Sequence, residues 1–277
     1  MYMHNGMVHV SFVCMGICMQ FITPMLKSLL HHTKSPLHFH IISEKATESD
    51  ISKLFRTWDI NNVKYSIYNA EHMFSEISWI PNKHHSGIYG LIKILIPEIL
   101  PQTLDKVIML DYDLILLCDI VELWAFFKKM KNYQVIGLTE EQSNFYLGKN
   151  GWPALGAGFN SGVVLWDLKK IRENLIWPNV WRNAVEDNLP KLKFVKLADQ
   201  DVLNAAIKRN PEFVYKIDCR FNVQLTSAYI AKSRCYKDIS RVKIFHYNNH
   251  DVWSGYTWKG TKGDASFFSK TIQKYIS

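Results

Sequence analysis

The stretch Val107-Ile108-Met109-Leu110-Asp111-Tyr112-Asp113 constrains this chain more than any other. Four apolar residues with no polar alternation read as a strand buried on both faces, and such strands belong to sheets covered by helices on either side. The run stops at two acids two places apart. Ligands of open α/β sheets collect at the carboxyl ends of the strands, where these acids fall. Side chains at i and i+2 of an extended segment point the same way, so Asp111 and Asp113 could share one hard divalent cation, with a diphosphate supplying further oxygens. An acidic turn after a strand is the plainer account, and the rest of the chain decides between the two.

Strand and helix alternate around that stretch. Strands are expected at His9 to Cys14, Leu37 to Ile42 and Val63 to Tyr68, with Met15-Gly16 as the turn after the first. Helices are expected at Phe21 to Leu30 and at Ile51 to Trp58, the latter opened by a Thr47/Asp50 capping box. Ser86 to Ile96 reads as a helix stopped by Pro97 and Pro101, and Asp119 as the cap of Ile120 to Lys128. This alternation predicts an α/β fold with a doubly wound, mostly parallel sheet. The second half is more elaborate: a strand at Tyr133 to Leu138, a long functional loop at Gln142 to Gly158, and a strand at Phe159 to Trp166. Helical stretches at Leu168 to Val185 and Gln200 to Lys208 follow, and a last strand at Val242 to Tyr247 delivers His246.

Composition narrows the classes. A chain of 277 residues, 48% hydrophobic, fills a sizeable core. The net charge of +8 biases it toward anionic ligands, but the cations are scattered, which argues against nucleic acid. Val8 to Phe21 is short for a bilayer span and Met1 to Gly6 lacks a basic start, so the chain reads as soluble. Cys14, Cys18 and Cys118 lie in or beside apolar runs, where buried free thiols are the default. Cys219 and Cys235 stand apart in a polar stretch, and a disulfide between them is left open.

Other motifs are weak singly. Gly156-Ala157-Gly158 precedes a strand instead of opening a helix, so it is no dinucleotide fingerprint. Asn160-Ser161-Gly162 offers an amide, a hydroxyl and bare backbone at a strand start, fit for sugar hydroxyls or for an ordinary turn. Asp199-Gln200-Asp201 opens a helix, where acids also suit the dipole. His246 is either a core imidazole or a third metal ligand. Lys93 is either a solvated helix residue or a phosphate partner. Leu110-Asp111-Tyr112-Asp113 also resembles the first motif of haloacid-dehalogenase phosphatases, whose later acidic pair is met only by Glu186-Asp187 in a polar stretch.

Taken in order, the Asp-x-Asp, Phe159-Asn160-Ser161-Gly162, Asp199-Gln200-Asp201 and the late His246 resemble a family 8 glycosyltransferase. Longer strings are similar to the xylosyltransferase domain of the bifunctional xylosyl/glucuronyl transferases that extend matriglycan: Ser78-Trp79-Ile80-Pro81-Asn82-Lys83-His84, Ser86-Gly87-Ile88-Tyr89-Gly90-Leu91 and Trp152-Pro153-Ala154-Leu155-Gly156. The resemblance implies a GT-A fold and retaining, metal-dependent transfer, xylose from a UDP-sugar to a glycan or glycoprotein. It implies that Asp111, Asp113 and His246 bind Mn²⁺, with Tyr112 beside them. Lys93 faces the donor phosphates, Asn160, Ser161 and Gly162 line the donor sugar, Asp199 holds a sugar hydroxyl, and Gln200 lies against the anomeric carbon. Cys14 and Gly16 belong to the turn that faces uracil. Trp152, Leu155 and Phe159 are the expected wall of the sugar pocket. Related enzymes have Tyr-Asn where this chain has Ile17-Cys18. Asn249 and Val252 fall at the Gly and Lys places of their late His motif, a job that passes to Gly255 with Lys259. Residues 1–277 then form one GT-A domain, with 8–130 the nucleotide-binding half and 131–277 the donor-sugar and acceptor half. The related enzymes carry an N-terminal anchor, a stem and a second transferase domain that are missing here. The resemblance points to the Golgi lumen, although this chain carries neither anchor nor signal, and leaves a homodimer open. A catalytically silent sugar-nucleotide binder is the alternative.

Overall fold

The computed structural model describes residues 6–57, 62–148, 151–173, 177–225 and 239–247. The strands are β1 (Val8–Cys14), β2 (Leu37–Ser43), β3 (Val63–Asn69), β4 (Lys106–Leu110), β5 (Leu114–Leu116), β6 (Ile136–Glu140), β7 (Phe159–Asp167), β8 (Val214–Lys216), β9 (Val223–Gln224) and β10 (Ile244–His246). The helices are α1 (Ile22–His32), α2 (Lys45–Arg56), α3 (Gly87–Leu91), α4 (Ile96–Ile99), α5 (Val121–Trp124), α6 (Leu168–Glu173), α7 (Trp177–Leu192) and α8 (Asp199–Arg209).

The main sheet runs β3-β2-β1-β4-β7-β6-β8, and only β7 opposes its neighbours. Alternation along β4 decides the layers. Ile108 and Leu110 pack with Val8, Val10 and Phe12 against α1 and α2, whereas Val107 and Met109 join Trp166, α7 and α8 on the other face. Both faces are therefore covered, which is why Val107 to Leu110 of β4 and Val163 to Trp166 of β7 are apolar without a break. A second sheet, β5-β10-β9, sits where β4 ends. Reversed β7 brings its own start to the edge where β1, β4 and β6 finish, so Asn160 to Gly162 arrive beside Asp111. The Asp111 N–H donates to the Gly162 carbonyl (2.9 Å).

Several expectations change. α2 begins six residues before Ile51, with Glu44 at its N-cap; Thr47 lies inside it and donates to the carbonyls of Cys14 (3.0 Å) and Glu44 (3.1 Å), so there is no capping box. The helix expected over Ser86 to Ile96 is α3, a 3₁₀ stretch over Ile92–Leu95 and α4, with Pro97 in the first turn of α4 instead of ending a helix. The strand expected at Tyr133 starts at Ile136. Cys14 and Cys18 are not free thiols: a disulfide joins them, with Cα atoms 5.1 Å apart. Gly16 makes this closure reachable, because its φ of +60° turns the chain back and its N–H donates to Glu44 Oε1 (2.7 Å). Cys118 is free and buried. Cys219 is disulfide-bonded, while Cys235 lies outside the described residues. Among the described residues, no helix is long and apolar enough to cross a membrane.

Arg172 fastens the Pro97 to Leu104 bend. Its guanidinium donates to the carbonyls of Pro97 (3.0 Å), Leu100 (2.8 Å), Pro101 (3.0 Å) and Leu104 (2.9 Å), tying both sides of the bend to α6. Glu98 sits in the same bend, and burial pushes its carboxyl up to about 7 against the pull of Arg182 and Arg172. The folded protein thus holds this proton to higher pH than the unfolded chain, whose ordinary value is 4.5. Stability falls as pH rises through that window, and the full cost stands above it. Glu98→Gln should raise the unfolding free energy from a urea titration at about pH 8 by on the order of 1–2 kcal/mol, and leave it nearly unchanged near pH 4.5. An equal shift at both pH values would show that the proton is not the cause.

Candidate active site

A cavity of about 750 Å³ opens at the edge where β1, β4 and β6 finish. Met15, Gly16, Ile17 and Tyr89 form one end, Lys93, Asp111, Tyr112, Asp113 and His246 the floor, and Asn160, Ser161, Asp199 and Gln200 the other end. The tight turn between β4 and β5 presents both acids. β10 pairs antiparallel with β5, setting His246 opposite Leu114, and the Tyr247 N–H donates to the Asp113 carbonyl (2.8 Å). His246 Nε2 lies 3.3 Å from Asp113 Oδ1 and 3.8 Å from Asp111 Oδ2.

The imidazole is aimed by an amide chain. Asn222 Nδ2 donates to Asn160 Oδ1 (2.8 Å), so Asn222 Oδ1 faces His246 Nδ1 (3.0 Å) and fixes the proton there. Nε2 is left to the acids. The ring lies over Gly162, where any Cβ would overlap it. One ligand atom from each of Asp111, Asp113 and His246 lies within 4.8 Å of the others. Two carboxylate oxygens and one imidazole nitrogen suit a divalent ion of intermediate hardness such as Mn²⁺.

Lys93 is the second organising group. Its side chain is nearly buried, and Nζ donates to Asp111 Oδ1 (2.9 Å) and forms an ion pair with Asp199 Oδ2 at 3.1 Å. Burial alone would pull the ammonium down, but the two carboxylates outweigh it and hold it above its usual range. Burial pushes Asp199 up to about 6 against the pull of Lys93. Burial acts on Asp113 in the same direction, yet His246 wins and holds that carboxyl below its usual range. His246 is correspondingly raised by Asp113 in spite of burial. Burial, then the two acids, lift the Tyr112 phenol to about 12, so it remains neutral.

α8 carries the other end of the cavity. Ala198, at φ +47°, makes the abrupt entry to that helix. Asp201 fastens the entry by accepting from the N–H groups of Lys196 (2.7 Å) and Leu197 (2.9 Å) and from the Tyr146 hydroxyl (2.8 Å). Gln200 Oε1 accepts from the Ser161 N–H (3.2 Å) and its Nε2 donates to Glu141 Oε2 (3.2 Å), so its amide is fixed at both ends.

The expected site residues mostly converge, with exceptions. Cys14 is buried with its sulfur in the disulfide and does not line the cavity, and Gly162 acts beneath His246 instead of at the wall. Trp152, Leu155 and Phe159 are not among the lining residues; Trp152 instead donates Nε1 to the Phe194 carbonyl (2.8 Å). Gly255 and Lys259 lie outside the described residues. Sequence reasoning missed Glu141, Asn222 and Tyr146, whose parts depend on contacts between distant segments and leave no local pattern.

Fold and cavity define a class: this is the GT-A glycosyltransferase fold. Mouse xyloside xylosyltransferase 1 in its apo form superposes with a TM-score of 0.72 at 21% identity, covering 88% of this chain and 98% of that one. The galactosyltransferase LgtC in complex with donor and acceptor sugar analogs gives 0.71 at 19% identity, covering 98% and 97%. Residues 9–252 match glycosyl transferase family 8, and the chain belongs to that family. Xylosyl- and glucuronyltransferase LARGE1 of Homo sapiens is 46% identical over 248 residues, which are 87% of this chain and 32% of that protein. LARGE2 of Rattus norvegicus is 43% identical over 249 residues, 88% and 36%. The chain spans about a third of the length of these relatives. Family membership sets the phosphatase reading aside.

Lys93→Met should cost about 3–5 kcal/mol in a urea titration, because it leaves buried Asp199 and half-buried Asp111 without their cation. Adding Asp199→Asn should recover part of the loss. A single variant as stable as the parent would show that the ammonium does not hold the cavity together.

Proposed function

We propose that this chain is the catalytic domain of a retaining, Mn²⁺-dependent glycosyltransferase that moves xylose from a UDP-sugar to a glycan or glycoprotein acceptor. The observation that carries the reading is the meeting of Asp111, Asp113 and His246 on the floor of one cavity. Xylose is suggested by the relatives named as xylosyl- and glucuronyltransferases. The disulfide-bonded Cys14, Cys18 and Cys219 favour an oxidising compartment, in keeping with a Golgi lumen.

Asp111, Asp113 and His246 hold the metal in this reading, and when bound it supplies Lewis-acid stabilisation of the departing diphosphate. Lys93 adds positive charge beside the phosphates. Gly16 and Tyr89 meet the nucleoside end, and Tyr112 packs beside the acids. Asn160, Ser161 and Asp199 hold sugar hydroxyls, and Phe145 and His84 lie at the cavity wall on the acceptor's path. Gln200 is a neutral amide fixed at both ends, so it positions the anomeric carbon and does not attack it. Retention then follows from front-face attack. The bond from the anomeric carbon to phosphate breaks, the bond to the acceptor oxygen forms on the same face, and the acceptor proton passes to the departing phosphate.

Asp111→Asn with Asp113→Asn should lower UDP release from UDP-xylose by at least roughly 1,000-fold, the scale of losing the main charge stabilisation, with unchanged circular dichroism. EDTA should do the same to the parent and added Mn²⁺ should restore it. A UDP-induced rise in melting temperature with no turnover of any UDP-sugar would identify a silent binder instead. Gly162→Ala should fold yet weaken Mn²⁺ binding by roughly 10-fold or more, since the added methyl displaces the His246 ring. An unaltered Mn²⁺ titration would remove His246 from the site.

A further inference from the structure

The donor cavity leaves the opposite end of the same strands unused. His9 stands near the start of β1, and β2 opens with Leu37-His38-Phe39-His40. Parallel pairing sets His9 beside His38, and strand alternation puts His40 on the same face two residues on. Ring centroids are 5.5 Å apart for His9 and His38, 5.2 Å for His9 and His40, and 4.2 Å for His38 and His40. One ring nitrogen from each lies within 4.8 Å of the others, and His9 Nδ1 is 2.9 Å from His40 Nε2. A tetrahedral zinc ion with Zn–N near 2.0 Å spaces its nitrogens by roughly 3.3 Å and the ring centroids by about 5 Å. The observed separations bracket both values.

The surroundings resemble those of ligating imidazoles. His40 Nδ1 lies 2.9 Å from the Tyr68 hydroxyl and His38 Nε2 lies 2.9 Å from Ser66 Oγ, both on β3. Hydrogen bonding at one nitrogen fixes ring orientation and leaves the other for a metal. Burial, then neighbouring His38, takes His9 down to about 4; burial, then His38 and His9, takes His40 to about 3. Both rings therefore keep a lone pair at neutral pH. Ser11, the register partner of His40, is fully buried, and its hydroxyl meets no partner. His38 is half-buried, which gives an ion a way in.

We propose that His9, His38 and His40 bind a divalent transition metal, Zn²⁺, through three imidazoles with water in the fourth position. The site is separate from the donor cavity: its nearest ring, His40, is level with Ser11, about 10 Å down β1 from Cys14 at about 3.3 Å per residue, and none of the three histidines lines that cavity. Its test therefore works on protein whose donor acids are removed. Calorimetric titration of the Asp111→Asn, Asp113→Asn chain with Zn²⁺ should show one equivalent bound, and adding His38→Gln should weaken it on the order of 100-fold. X-ray absorption of the unaltered chain, loaded with Zn²⁺ in excess Mn²⁺, should show three imidazoles around zinc. No stoichiometric Zn²⁺ in the double variant, an affinity indifferent to His38→Gln, or a zinc shell of one imidazole with oxygens would each overturn the proposal.

Discussion

Four carboxylates line one cavity, and the convergence of three of them beside Lys93 and His246 sets the terms for everything around it. Asp111, Asp113 and Asp199 lie where water is partly excluded, and unmatched charges there cost several kcal/mol each. Lys93 answers two of them and His246 answers the third. The match is incomplete by charge, because Lys93 is shared, and the deficit falls on the side where His246 and both β4–β5 acids meet. A cavity short of positive charge on its floor attracts a cation. Under the proposed function, Lys93 on the same floor would meet the phosphates such a cation brings.

The backbone is shaped to keep these groups in register. β7 runs against its neighbours, which lets a strand start, with its polar Asn160 and Ser161, stand at the edge where the other strands end. Gly162 leaves room for the imidazole, and Ala198 accepts an unfavourable φ so that α8 can aim Asp199 and Gln200 inward. Such strain costs on the order of 1–3 kcal/mol and persists only where neighbours enforce it. Here the Asp201 carboxylate, holding two N–H groups and the Tyr146 hydroxyl, is the enforcer.

What could be read without coordinates divides along physical lines. β1, β2 and β4 were legible because both faces are buried and apolar runs carry the signal. β5, β8, β9 and the exact start of α2 were not, since two- or three-residue strands hold too few side chains for a period, and Glu44 caps α2 without a side-chain bond. The acids and His246 were placed by their positions at strand ends. That His246 reaches Asp113 depends on β10 pairing with β5, a contact between distant segments that no local pattern encodes. No reading of the sequence singled out the paired histidines of β2, His38 and His40. They gain meaning only when β1 brings a third ring alongside.

The Cys14–Cys18 disulfide shows how a departure in sequence can be a structural exchange. The family resemblance led to the expectation of Tyr-Asn where Ile17 and Cys18 stand. Here Cys18 is buried with its sulfur bound to Cys14, and Ile17 is 60% exposed at the cavity rim, so neither offers a polar edge to a base. The turn is instead held by the bridge, by Gly16 donating to Glu44, and by Glu44 accepting from the Tyr89 hydroxyl (2.9 Å). Tyr89 packs directly beneath Gly16, where an added Cβ would meet its ring at 3.1 Å. Under the proposed function, a base at this end would meet main-chain groups of a covalently closed turn and an aromatic face, a rigid surface that discriminates by shape more than by side-chain hydrogen bonds.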